Sequence, residues 1–161
     1  MPDTNHVLKV LRDELALQTR HRKLLEAQEQ ALLTCDRARF AALQSEHAQM
    51  VAELEAQDDA RKAAMMGEGG EPLTLSALKE QASPEGRARL DALGDMLRET
   101  LDRVQTLTKR NKTLITNELD YIAFTLDLFV EAGRSHDAGY GPQRGGDYAR
   151  PTGRLMPDRR A

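Results

Sequence analysis

Residues 83–133 read SPEGRARLDALGDMLRETLDRVQTLTKRNKTLITNELDYIAFTLDLFVEAG. Leu90, Leu93, Leu97, Leu101, Val104, Leu107, Ile115, Leu119, Ile122, Leu126 and Phe129 recur there mostly at steps of three and four. That period lays one apolar stripe along an α-helix. The start is written into Ser83-Pro84-Glu85. Serine caps the first free amides, proline lacks the N–H that would go unpaired, and glutamate suits the positive helix end. Gly133 is the expected stop, since glycine adopts the left-handed conformation that ends many helices. A helix over about 84–132 reaches roughly 70 Å, and its stripe needs partners along that whole length. Gly94 lies inside the pattern at a cost of about 1 kcal/mol relative to alanine, which marks a bend or a close neighbour. Asn111 alone interrupts the stripe. A polar residue there either fixes register in a helix seam or offers its amide to a partner's backbone.

Upstream, two shorter patterns predict a helical hairpin over about 5–66. Leu8, Leu11, Leu15, Leu25 and Leu32 share one face of a first helix from about Asn5 to Leu33. Arg20, His21, Arg22 and Lys23 dilute it and are expected to be a solvated face. A second helix starts at Asp36, a good cap, and Phe40, Leu43, His47, Met50 and Leu54 follow a three-four alternation. The residues Thr34–Asp36 allow either a turn or an irregularity within one longer helix. Gly67-Glu-Gly-Gly-Glu-Pro72 cannot continue a helix, so 67–72 is a loop. A short helix over about 73–81 follows, with Thr74 as its cap. The predicted architecture is all-α: an elongated antiparallel helical bundle of hairpin plus one long helix, body 1–132, with a disordered tail 133–161. The tail is rich in Gly, Pro and Arg and too poor in apolar surface to offset its ordering entropy.

Composition agrees. Aromatics are 4% and charged residues 30% of the 161 residues, and tryptophan is absent, so strong helix formers carry the chain rather than the residues of a compact α/β core. The net charge of −3 hides a basic tail, with six Arg against three Asp over 134–161. That density falls short of a nucleic-acid-binding arm. The lone Cys35 excludes an internal disulfide and fits a reducing compartment. No apolar run is long enough to cross a bilayer, and Met1 to Arg12 lacks a secretory leader pattern. A cytoplasmic protein is expected.

Catalytic and metal-binding patterns are absent, so neither an enzyme nor a cofactor is expected. His6, His21, His47 and His136 are scattered. A carboxylate-bridged di-iron bundle needs Glu three residues before His, whereas Gln18 precedes His21 and Gln44 precedes His47 at that spacing. Cys35 has no zinc-finger partner. The glycines at 67–70 lack the Lys-Ser/Thr of a phosphate loop. His47, on an apolar stripe, reads as a packing residue.

Three local features then carry a resemblance to the FlgN-type flagellar export chaperones, over about Leu8 to Gly145. Ala31-Leu32-Leu33, Asp36, Phe40, Leu43, Met50-Val51, Leu54 and Arg61 are similar to the family's leucine positions before an arginine. Arg110-Asn111-Lys112-Thr113-Leu114-Ile115 resembles its Asn followed by an apolar pair. Ala138-Gly139-Tyr140-Gly141 sits where the family carries a Tyr-Gly motif, although Gly139 stands where Thr is common.

The resemblance implies a cytoplasmic chaperone that binds the disordered C-terminal segments of hook–filament junction proteins and takes them to the type III export gate. It implies export-gate docking through Tyr140. On the long helix the expected client contacts are Leu101, Val104, Leu107, Leu114, Ile115 and Leu119, with Asn111 holding client backbone. The alternative is a structural coiled-coil protein forming a self-assembling homodimer, favoured by the long leucine stripe. A nucleic-acid-touching adaptor is a third reading, weakened by the dilute charge of the tail.

Overall fold

The computed structural model describes residues 3–67, 70, 71 and 73–137, and their elements follow from local capping chemistry. Helix α1 spans Thr4–Leu33, capped by Asp3, whose carboxylate accepts the Asn5 N–H at 3.0 Å. Helix α2 spans Arg37–Ala64, capped by Asp36 accepting the Arg39 N–H at 3.0 Å. Residues 34–36 are therefore a true turn, and Cys35 takes a positive φ of 54° to make it. Helix α3 spans Leu75–Gln81 with Thr74 as cap, as expected. Helix α4 spans Pro84–Asp137, opened by Ser83 accepting the Gly86 N–H at 3.2 Å. Among the described residues there is no strand.

One boundary differs from expectation. Gly133 does not stop α4, which runs on to Asp137. Glycine permits a left-handed stop but does not impose one. Its cost inside a helix is about 1 kcal/mol, and Arg134 to Asp137 contain no proline to break the pattern.

The chain divides into two units, residues 1–120 and 121–161. In the first, α1 and α2 run antiparallel: Gln57 Nε2 donates to the Val10 carbonyl at 2.9 Å and Arg20 pairs with Glu53 at 2.9 Å. Along α1 and α4 partner numbers rise together, from Thr4 beside Gly86 to Leu25 beside Asn111, so those helices are parallel. Arg37 of α2 meets Glu118 of α4 at 2.8 Å, which is the antiparallel sense. The order is up, down, up, with the α2–α3–α4 connection returning the chain to the end where α1 begins.

The core gathers at that end. Val7, Leu8 and Leu11 of α1, Met65 after α2, Leu78 of α3, and Leu90, Leu93 and Leu97 of α4 pack as one cluster. Each such leucine contributes about 1.5–3 kcal/mol through burial. Leu75 of α3 explains Gly94: a Cβ on Gly94 would stand 2.9 Å from Leu75 Cδ2. The glycine marks a close approach. Farther along, burial thins. Of the α2 stripe only Met50 is fully buried, while Phe40, Leu43, His47 and Leu54 are half-buried.

Candidate functional site

α2 is a sparsely apolar helix, so it cannot close completely over α1 and α4. A groove of about 650 Å³ remains. Leu11 of α1, Leu54 of α2, and Leu97 and Leu101 of α4 supply its apolar lining. Its polar rim includes Glu14, Gln18, Asp58 and Arg61. Arg61 Nε lies 3.5 Å from Glu14 Oε1 and bonds Asp58, while Glu14 Oε2 and Gln18 Oε1 are buried with no hydrogen-bond partner. Burial pushes the Glu14 carboxyl above its ordinary pKa, Arg61 opposes this, and Asp58 adds to it. Such a groove can take an apolar side-chain row and hydrogen-bond groups beside it.

The residues expected to meet a client do not share one environment. Leu107 is 0% exposed and Asn111 4%. In this chain the bundle itself occupies both positions. Asn111 Nδ2 donates to the Leu25 carbonyl at 2.9 Å and its Oδ1 is buried without a partner, so the residue serves the α1–α4 seam. Val104, Leu114 and Ile115 are half-buried. Leu101, which lines the groove, is 40% exposed, and Leu119 is 60% exposed. Tyr140 lies outside the described residues.

The expected solvated face at 20–23 also needs correction. Arg20 and Lys23 are exposed, but His21 and Arg22 are half-buried. His21 Nε2 stands 3.1 Å from His47 Nε2, and Gln28 Nε2 lies 3.4 Å from His47 Nδ1. Burial, then the neighbouring His47, hold the His21 pKa below its ordinary value. His47 is thus a packing residue with a polar partner that one-helix spacing could not reveal.

In the second unit the helix carries Tyr121, Phe124, Leu126, Leu128, Phe129 and Val130, all exposed, Phe129 at 72%. At about 100° per residue, Leu126, Phe129 and Val130 lie on one side and Tyr121, Phe124 and Leu128 on the other. Of these, only Leu126 and Phe129 belong to the stripe that sequence periodicity picks out. The available signal was density, since apolar residues on opposite sides exceed what a single buried stripe requires. Clustered exposed aromatics are the usual mark of a protein-binding surface.

A helical body with an open groove and an exposed aromatic helix suits a holder of other chains. The sequence model of the FlgN protein family matches residues 1–145. The chain belongs to the FlgN family. FlgN-family proteins are chaperones of flagellar export, and the all-α fold agrees with that membership. No curated protein and no solved structure matches the chain. No helix among the described residues of this FlgN-family chain is long and apolar enough to cross a membrane.

Proposed function

We propose that this FlgN-family chain is a cytoplasmic chaperone that holds the disordered C-terminal segments of hook–filament junction proteins and delivers them to the type III export gate. The observation that carries the reading is the exposed aromatic and aliphatic surface over residues 121–130. A client segment that folds as an amphipathic helix against such a surface buries apolar area on both partners, the helix-in-groove mode. Its ordering entropy is subtracted from that gain, so binding is moderate and reversible, as delivery requires. In the first unit, taken by itself, Leu101 and Leu119 offer exposed apolar contact area, with Val104, Leu114 and Ile115 half-buried. Tyr140 docks the loaded chaperone at the gate.

Calorimetric titration with those C-terminal segments tests the client role. One-to-one binding with a negative heat-capacity change supports it, and absence of heat from the folded protein rejects it. Tyr140→Ala is expected to keep client affinity and lose gate binding; equal gate binding by the variant removes the docking role.

The same exposed apolar surface is the specific feature that favours a self-assembling homodimer. Sedimentation of the free chain separates the readings. A monomer that binds client supports the chaperone, and a tight dimer that binds none supports self-assembly.

A further inference from the structure

We propose that His21 of α1 and His47 of α2 form a two-imidazole site for a nitrogen-preferring divalent transition ion, of the Cu²⁺ or Ni²⁺ class, that staples the hairpin. The two histidines are 26 residues apart in sequence, yet their Nε2 atoms stand 3.1 Å apart. The ring centroids are 5.0 Å apart and the planes are tilted by 50°. Metal–imidazole bonds are about 2.0–2.1 Å long. Two bonds of that length from nitrogens 3.1 Å apart meet close to a right angle. That is the angle between neighbouring positions of a tetragonal site, the geometry of Cu²⁺ and Ni²⁺. Both rings are half-buried, neither sealed nor free, so water can fill the remaining positions.

The apo hydrogen bonds are compatible with loading. Gln28 Nε2 lies 3.4 Å from both His47 Nδ1 and the Leu43 carbonyl. Donating to both, it leaves the proton of His47 on Nε2, pointed at the bare Nε2 of His21. Turning the Gln28 amide over presents its oxygen to His47 Nδ1–H. The His47 proton then sits on the outer nitrogen, the arrangement that second-shell carbonyls impose on metal-bound histidine, and both Nε2 lone pairs face one point. Loading gives up the 3.1 Å hydrogen bond between the two histidines as well as the 3.4 Å contact to Leu43, and the buried His21 Nδ1 stays without a partner in both states. Among the described residues no third His, Cys, Asp or Glu joins the pair. The positive neighbours Arg20 and Arg22 weaken cation binding, although Arg20 is paired with Glu53 at 2.9 Å. Affinity is therefore moderate and follows the order Cu²⁺ above Ni²⁺.

An ion held by both helices binds the folded hairpin more tightly than the unfolded chain, where the two histidines no longer meet, so it raises the unfolding temperature with concentration. The test is thermal unfolding of the full chain in rising CuCl₂ or NiCl₂, with MgCl₂ as the oxygen-preferring control. The expected result is a saturable rise with one Cu²⁺ or Ni²⁺ per chain and none with Mg²⁺. His21→Gln and His47→Gln each abolish the rise, and His6→Gln keeps it. Electron paramagnetic resonance of the Cu²⁺ adduct needs no variant to fold, and two coordinated imidazole nitrogens are expected. An unchanged unfolding temperature, an equal rise in His21→Gln and His47→Gln, or a single coordinated imidazole overturns the proposal. In that case the pair is a hydrogen bond between packed rings.

Discussion

Cys35 holds a left-handed backbone conformation, φ 54°, between two capped helices. A residue with a Cβ pays roughly 1 kcal/mol or more there, whereas glycine adopts it freely but gains freedom when unfolded. Cys35→Gly is therefore expected to stabilise the chain by up to about 1 kcal/mol, read from urea midpoints; a loss of stability would mean that the thiol makes a contact the turn depends on. Glu14 offers a second residue-scale test. Its folded pKa lies above the ordinary 4.5, so the folded state binds its proton more tightly than the unfolded state does. Its ionisation costs stability as pH rises through the folded pKa, and that cost is absent below 4.5. The stability of Glu14→Gln relative to the native chain is expected to be most favourable at neutral pH and to fall as pH drops toward 4.5. A difference independent of pH would show that the Arg61 ion pair compensates burial completely.

At the scale of elements, α3 is held by Leu78 in the core and by the approach of Leu75 to Gly94. The Leu75 tip can rotate away from one methyl group, and alanine restores about 1 kcal/mol of helix propensity. Gly94→Ala should therefore be nearly neutral. Gly94→Ile has no such outlet and is expected to dislodge α3, seen as faster proteolysis of the 67–74 connection; unchanged cleavage would place the approach outside what holds α3. Helix α4 shows a sharper contrast. Leu107 is fully enclosed, so Leu107→Asp buries an unpaired charge and should lose several kcal/mol and much of the helicity. Phe129→Asp changes an exposed position, so it should keep the circular-dichroism spectrum while lowering client affinity. Equal helicity in both variants would refute the placement of Leu107. Asn111 belongs with Leu107: its amide secures the α1–α4 seam through the Leu25 carbonyl.

At the scale of the whole molecule, the four helices among the described residues and most of their boundaries were legible because their signals are local. Ser83-Pro84-Glu85, Asp36 and Thr74 each act within one helical turn, and periodic leucines reveal a face without reference to any neighbour. Resemblance over the ordered motifs pointed to the family that the match over residues 1–145 then established. The sequence by itself thus determined the helical elements, their caps and the family. Tertiary structure alone decided which apolar residues remain uncovered. One stripe on α4 contains both Leu107, enclosed by the bundle, and Phe129, exposed to solvent. Tertiary structure alone also joined His21 to His47 across 26 residues. The physical reason is common to both: periodicity specifies the face on which a side chain lies, while burial and pairing depend on what other helices bring to that face.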